Sequence, residues 1–315
     1  MKILVTGGAG FIGSHLTERL LLDGHSVVVL DDLSTGRRER LDLDHARLSL
    51  QVGDIADQAG VRTAMQGCQA LVHLAAVASV EASVRDPIGT NRTNLQGTVR
   101  LLDEAARQGV RRVVYASSAA VYGDAEILPI SEEATKRPLS PYAADKLAGE
   151  HYLAYYHRSD KLDGTAFRFF NVFGPRQDPA SPYSGVISIF LDRARSGEAI
   201  TVFGDGEQTR DFVYVGDVVE ALVAGLLANE RPEQLPIYNV AGGNAVSLRR
   251  LLEVVGTLEG VNAPLRLSFG KARQGDIRHS LADVRRIRAA FGWQAQTAMA
   301  EGLHRTLQSL PKPVG

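Results

Sequence analysis

Tyr142 and Lys146 stand four residues apart at the start of a stretch with helical character, 141–157, so their side chains share one face. A free phenol titrates near pH 10 and is a poor base at neutral pH. An ammonium one turn away favours the phenolate. Lowering the phenol by roughly three pH units requires ~4 kcal/mol of differential stabilisation, which close charges in a dry site can supply. Ser117 and Ser118 end the apolar run Arg112–Ala116 and would place a hydroxyl beside that base. Alone, Y-x-x-x-K occurs by chance in many helices, so its meaning depends on what the chain builds around it.

The chain opens on MKILVTGGAGFIG. Ile3, Leu4 and Val5 read as a buried parallel strand. Gly8, Gly10 and Gly13 fit G-x-G-x-x-G, and Gly7, Gly10 and Gly13 fit the wider G-x-x-G-x-x-G. Leu16, Leu20 and Leu21 then recur at helical spacing. Strand, glycine turn and helix in that order make a cradle for a dinucleotide pyrophosphate. Ser26–Leu30 reads as a second strand, and Asp31 at its end lies 21 residues after Gly10, where a carboxylate receives ribose hydroxyls. The alternative is an ordinary strand–helix turn with a solvated aspartate. Asp31 and Asp32 would repel a 2′-phosphate, which favours NAD over NADP; Arg37 and Arg38 close by read as surface charges. An oxidised nicotinamide would add a second positive charge beside Tyr142.

Composition narrows the partners. The 315 residues are 44% hydrophobic and 23% charged, with a formal net charge of −1, ordinary for a globular protein. Nothing favours nucleic acid or an anionic membrane. No apolar run approaches the ~20 residues of a membrane span, and the N-terminus does not read as a signal peptide. Cys68 is the one cysteine, which excludes an intrachain disulfide and suits a reducing, cytoplasmic setting; it reads as a small core residue. The eight histidines include no H-E-x-x-H, so no metal site is expected, and His73 reads as a strand-end residue near the cofactor.

Strand and helix signals alternate. Further strands are expected at Leu48–Val52, Ala70–Leu74, Arg112–Ala116 and Gly164–Phe170, with helices over 57–66, 91–108 and 141–157. This alternation predicts an α/β fold, a Rossmann-type doubly wound parallel sheet. After Asn171 the pattern is mixed: a loop-like run over 172–186, helices near 187–196, 218–227, 248–258 and from 283, and short strands at 200–203, 212–215, 237–240 and 265–269. The expected division is a dinucleotide domain, 1–171, and a smaller mixed α/β substrate domain, 172–315, packed over the strand carboxyl ends. Segment 212–240 is a candidate to return to the first domain.

The chain resembles the extended short-chain dehydrogenases/reductases, specifically the nucleotide-sugar 4-epimerases. The resemblance rests on TGGAGFIGSH at 6–15, GDI at 53–55, HLAA at 73–76, SSAAVYG at 117–123, YAADK at 142–146 and RFFNVFGPRQ at 168–177. It continues through GDGEQTRDFVYVGDV at 204–218 and RQGDIRHS at 273–280. It implies Tyr142 as catalytic base, Lys146 as its activator and Ser118 as the hydroxyl sharing the proton with the sugar 4-OH. Around NAD it implies Gly7, Gly10, Phe11, Ile12 and Gly13, with Asp31 and Asp54 at the adenosine. Asp32, Ile55, Leu74, Ala75 and Ala76 complete the cofactor set with Tyr142 and Lys146. For a UDP-sugar it implies Asn171 on the diphosphate, uridine-diphosphate contacts from Arg210, Arg273 and Asp276, and substrate contacts from Val186 and Ser280. Local alternatives stay open: an Arg210–Asp211 ion pair, a cap at Asp276 or Asn171, and a surface role for Ser280.

The implied reaction is reversible oxidation at carbon 4, rotation of a 4-keto sugar about its diphosphate link, and reduction on the other face. Dehydratases of the family carry an Asp-Glu pair where this chain has Ala119 and Ala120, and decarboxylases usually carry a Glu there. Epimerases restricted to glucose and galactose carry a tyrosine at the position of Ser280; a serine leaves space for a 2-acetamido group. The expectation is therefore UDP-N-acetylglucosamine and UDP-N-acetylgalactosamine, with plain hexoses as further candidates. Competing expectations are a uronic-acid epimerase or nucleotide-sugar reductase, and a nonenzymatic dinucleotide sensor. The resemblance also implies a homodimer through helices 91–108 and 142–157. Leu95, Val99, Leu102, Tyr152, Tyr155 and Tyr156 are candidates for that interface or for monomer core.

Overall fold

The computed structural model describes residues 1–179, 185–272 and 277–310. The first six apolar runs form β1 (Lys2–Thr6), β2 (Ser26–Asp31), β3 (Leu48–Val52), β4 (Ala70–His73), β5 (Arg112–Ser118) and β6 (Asp163–Phe169). Later strands are shorter: β7 (Asn171–Phe173), β8 (Ile200–Phe203), β9 (Thr209–Tyr214), β10 (Ile237–Val240), β11 (Ala245–Ser247) and β12 (Leu267–Gly270). A seven-stranded sheet runs β10-β6-β5-β4-β1-β2-β3. From β6 across to β3 every neighbouring pair is parallel. β1 and β4 are covered on both faces, which explains their unbroken apolar character. The connection order reverses between β1 and β4, and that switch point is where a doubly wound sheet opens a ligand crevice.

The chain divides into two compact units. One comprises Met1–Gly123, Thr135–Phe169 and Val219–Tyr238; the other comprises Asp124–Ala134, Phe170–Val218 and the chain from Asn239 onward. In the second, β11-β9-β7 form a three-stranded sheet and β12-β8 a pair. Its carboxyl-terminal region is pinned by Asp217, whose carboxylate accepts the backbone N–H groups of Gln296 and Thr297, both at 3.1 Å. The Trp293 indole donates to the Asp217 carbonyl at 3.0 Å. Among the described residues no helix is long and apolar enough to cross a membrane.

Several elements depart from the sequence expectation. The expected helix 91–108 is three pieces: a short helix Pro87–Asn91, a π-helical turn Arg92–Gly97 and an α-helix Thr98–Gln108. Asp86 caps the first by accepting the Gly89 N–H at 2.9 Å. Within the π turn Asn94 clamps the loop after β4: its Oδ1 accepts the Val77 N–H at 2.8 Å and its Nδ2 donates to the Val77 carbonyl at 3.1 Å. β7 (Asn171–Phe173) extends into the run 172–186 expected to be loop, and β11 and the helix Val80–Arg85 were not anticipated. Leu102 and Tyr156 belong to the core between the sheet and its helices, so they are not surface residues available to a partner.

The helix Pro141–Arg158 starts on Ser140, whose hydroxyl accepts the Ala143 N–H, with Pro141 at its first position. It lies so close to β5 that a Cβ on Gly149 would sit 2.3 Å from the Tyr115 hydroxyl oxygen. Helix propensity favours Gly149→Ala by ~1 kcal/mol. Overpacking against the buried Tyr115 ring opposes it by about 1–3 kcal/mol. The expected outcome is net destabilisation, read as a lower denaturant midpoint with an unchanged slope; a raised midpoint would contradict this packing.

Candidate active site

The glycine turn connects β1 to the helix Phe11–Leu22 at the switch point. Gly7 has φ +70°, and a Cβ there would stand 2.8 Å from the Ala75 nitrogen, because the backbone leaving β4 passes alongside. A Cβ on Gly13 would stand 2.1 Å from the Gly7 carbonyl oxygen. The first helical turn therefore packs directly on the loop. Gly10 caps the helix without a side-chain hydrogen bond, which leaves its first N–H groups free to face an anion. A cradle that side chains would fill, opened by an uncapped helix start, fits a dinucleotide pyrophosphate. Phe11 and Ile12 are half-buried at that start, and Leu74, Ala75 and Ala76 are half-buried after β4.

Asp31 closes β2 and is buried. Its Oδ2 accepts the Ala9 N–H and its Oδ1 the Leu33 N–H, both at 2.9 Å. Burial raises its pKa, and those two bonds oppose the shift. Asp32 is exposed and accepts the Ser34 N–H at 2.9 Å and its hydroxyl at 2.6 Å. Asp54 accepts the Ala56 N–H at 2.8 Å and pairs with Arg92 at 2.8 Å. The Ile55 side chain lies in the core, so any cofactor contact there would come from its backbone.

His73, at the end of β4, sits in a buried chain of polar groups. Thr98 donates its hydroxyl hydrogen to the Asn94 carbonyl, so its oxygen accepts from His73 Nε2–H at 2.9 Å. That leaves His73 Nδ1 to accept the Thr6 hydroxyl at 2.8 Å, and the Thr6 oxygen to accept the Ala75 N–H at 3.3 Å. Burial, with the Lys146 charge second, pushes the imidazole down to about 3, so it stays neutral and this proton order holds. The chain fixes the Ala75 backbone opposite Gly7.

Ser118 ends β5, and its Oγ accepts the Ala120 N–H at 3.2 Å and hydrogen-bonds Tyr142. Lys146 is buried; its ammonium donates to the Ala116 carbonyl at 2.7 Å and lies 6.0 Å from the Tyr142 ring centre and 5.0 Å from that of Tyr115. Burial raises the Tyr142 phenol and the Ser118 bond pulls it down. Burial lowers Lys146 to about 8 against the Asp145 and Glu150 carboxylates. Lys146 by itself therefore does not bring the phenol down, contrary to the simplest reading of Y-x-x-x-K. A further positive charge beside the ring would pull it down, and an oxidised nicotinamide carries one. The arrangement can move a proton between a phenol and a serine hydroxyl beside a buried cation.

The second unit carries the other candidates. Asn171 is exposed at the start of β7 and pairs in register with Phe212 of β9. Arg210, half-buried on β9, donates to the Thr209 carbonyl at 2.8 Å. Ser280 donates its N–H to the same carbonyl at 3.2 Å, so Arg210 and Ser280 are neighbours across that strand. Asp211 turns its carboxylate to the N–H groups of Gly243 and Ala282, at 3.1 and 3.0 Å. Val186 is half-buried at the first position of the helix Val186–Ser196. Arg273 and Asp276 lie outside the described residues. Sequence reasoning missed Asn94, Glu150 and Arg168. Two signals were available: Glu150 stands one turn past Lys146 on the same helical face, and Arg168 is a lone charge in an apolar strand.

A doubly wound sheet with this turn at its switch point defines a dinucleotide-binding α/β protein. The family model for the NAD dependent epimerase/dehydratase family matches residues 3–241. The UDP-glucose 4-epimerase of Mycolicibacterium smegmatis is 43% identical over 314 residues, covering 98% of both chains. A solved UDP-N-acetylglucosamine 4-epimerase from Methanobrevibacter ruminantium, in complex with UDP-N-acetylmuramic acid, superposes with a TM-score of 0.92 at 35% identity, over 98% of this chain and 97% of that one. The Thermus thermophilus UDP-glucose 4-epimerase in complex with NAD superposes with a TM-score of 0.89 at 38% identity, over 98% of both. The chain belongs to the NAD dependent epimerase/dehydratase family.

The Lys146 shift has a consequence for stability. The folded chain releases this proton near pH 8, whereas an unfolded lysine keeps it to about 10.4. Between those values the unfolded state binds more protons, so the contribution of Lys146 to stability rises with pH. Lys146→Met should remove that rise, so its melting temperature relative to the parent falls from pH 7.5 to pH 9.5 (roughly the window that the cited pKa values set). A difference independent of pH would contradict the buried ammonium.

Proposed function

We propose that the chain is an NAD-dependent UDP-sugar 4-epimerase acting on UDP-N-acetylglucosamine and UDP-N-acetylgalactosamine, with the plain UDP-hexoses as second substrates. The observation that carries the reading is the Ser118–Tyr142 hydrogen bond beside the Lys146 ammonium. When bound, NAD supplies a reversible redox partner for the sugar carbon 4. Tyr142 takes the proton of the 4-hydroxyl through or beside Ser118 and returns it once the sugar has turned over. Lys146 keeps positive charge next to the phenol and holds the nicotinamide ribose. The glycine turn binds the pyrophosphate, and Asp31 and Asp54 take the adenosine. Asn171, Arg210, Arg273 and Asp276 grip the uridine diphosphate firmly and Val186 contacts the substrate, while the sugar stays loosely held.

Ala119 and Ala120 start the 3₁₀ turn after Ser118, so that position offers no acid or base for elimination. This supports epimerisation over dehydration. Similarity to both a UDP-glucose and a UDP-N-acetylglucosamine 4-epimerase supports carbon 4 as the reacting centre. The small Ser280 beside Arg210 supports the acetylated pair. We further place the chain in the cytoplasm as a homodimer. Of the candidates for that interface, Tyr152 and Tyr155 are exposed and Leu95 and Val99 half-buried, and the exposed Val84 and Ile88 add apolar surface on neighbouring helices.

Incubation with NAD and, separately, UDP-N-acetylglucosamine, UDP-glucose and UDP-glucuronate should convert the first two at carbon 4 with no net gain of NADH. Steady NADH accumulation, or conversion of the uronate alone, would overturn the reading. Tyr142→Phe should cut kcat on the order of a hundredfold or more while leaving NAD binding intact. Ser280→Tyr should abolish turnover of the acetylated pair and spare UDP-glucose; unchanged turnover of both would remove the argument from Ser280.

A further inference from the structure

Two consecutive residues of β5 are stitched to two consecutive turns of the helix Pro141–Arg158. Lys146 donates to the Ala116 carbonyl at 2.7 Å, and one turn on Glu150 Oε1 accepts the Ser117 hydroxyl at 2.5 Å. Arg168, opposite Ser117 in the β5–β6 register, closes on the same carboxylate with two arms: Nε to Oε1 at 2.8 Å and Nη2 to Oε2 at 2.6 Å. Its third arm, Nη1, donates to the Tyr122 hydroxyl at 2.9 Å, and its plane stands 4.9 Å from the Tyr122 ring centre. Ser117, Tyr122, Glu150 and Arg168 are each 2% exposed or less.

Stability does not account for such a cluster. Desolvating an ion pair is costly, and a well-packed apolar replacement of similar volume is often neutral or stabilising. What the fork-shaped pair supplies is direction: a bidentate guanidinium–carboxylate contact fixes both distance and angle. We propose that Glu150 and Arg168 are positioning residues, which lock the helix register on β5 and so hold Lys146 and Tyr142 where Ser118 meets them. The proposal rests on the reading of Ser118, Tyr142 and Lys146 as the reacting groups.

The groups facing Lys146 are Tyr142, Asp145 and Glu150 on its own helix, Tyr115 on β5 and His73 on β4. Those facing Tyr142 are Lys146, Ser118 and Tyr115. In the double variant Glu150→Leu/Arg168→Met two opposite charges leave together; Lys146 loses the Glu150 carboxylate that helps hold its proton, whereas neither charge is among the groups that shift the Tyr142 phenol, so a change in the phenol titration reports geometry.

The test uses the full chain loaded with NAD. The Tyr142 phenol is titrated by the difference in phenolate absorbance between each protein and its Tyr142→Phe counterpart, and kcat and KM are followed against pH. The double variant should fold with a melting temperature near the parent's, titrate its phenol about one pH unit higher, and so hold ~tenfold less phenolate at a fixed pH below the midpoint. Its kcat should fall in parallel with KM unchanged. Ser117→Ala should move the same titration in the same direction by less, and it decides the matter if the double variant does not fold. A folded variant of either kind that keeps the parent's phenol titration and kcat profile would overturn the proposal. A parent that titrates as expected yet converts no UDP-sugar would overturn the proposed function and leave the positioning role standing on the titration.

Discussion

The closeness of one helix to one strand governs the candidate site. Pro141–Arg158 approaches β5 as nearly as a glycine permits, with Gly149 against the Tyr115 ring. A larger residue there would lift the helix. The Lys146 ammonium would then lose the Ala116 carbonyl, and Glu150 would lose Ser117. Ser118 and Tyr142 come from the two elements so joined, and their hydrogen bond is the point where that packing becomes chemistry. A glycine in mid-helix costs ~1 kcal/mol of propensity. Here the cost is offset by a contact that no residue with a Cβ could make.

That closeness also sets the electrostatics. Burial works against every charge in the site at once: it raises the phenol of Tyr142, lowers Lys146 to about 8 and holds His73 neutral. Neutral groups are then arranged by hydrogen-bond counting alone. The run Ala75, Thr6, His73, Thr98, Asn94 has a single consistent order of donors and acceptors, because the Thr98 proton is committed to a carbonyl. A second positive charge entering beside Lys146 would act in the same low-dielectric space, where its effect on the phenol is far larger than in water. A phenol held neutral without cofactor and ionisable with it is the behaviour these surroundings favour.

The sheet was legible because its strands are buried on both faces and so carry unbroken apolar runs: Ile3–Val5, Val27–Leu30 and Ala70–Val72 each mark a strand without ambiguity. The glycine turn was legible because its spacing answers close approaches that only glycine tolerates. The π turn was hidden, since Asn94 departs from α geometry for the sake of Val77, a partner 17 residues away that no local pattern reveals. β7 and β11 were hidden because three-residue strands flanking β9 are too short to show a period. Leu102 and Tyr156 carried apolar character that core and interface would explain equally well, and only packing separates them. Arg168 was visible as an oddity, but its meaning depended on Glu150 meeting it across the register of two strands and a helix.

In the role proposed for it, Asp31 would tie cofactor selection to the shape of the glycine turn. Its carboxylate is clasped by the Ala9 N–H from inside that turn and by the Leu33 N–H from the loop after β2. A Cβ on Gly36 would stand 2.5 Å from Oδ1, so the following loop is drawn tight around the same oxygen. Each oxygen retains a lone pair, enough to receive a ribose hydroxyl. A phosphate brought there would meet a carboxylate already stripped of water, where like-charge repulsion is least screened. Replacing Asp31 to admit a 2′-phosphate would therefore also release Ala9, and with it the turn that receives the pyrophosphate. On the proposed reading of Asp31, preference for the unphosphorylated dinucleotide and the shape of the glycine turn would depend on one carboxylate.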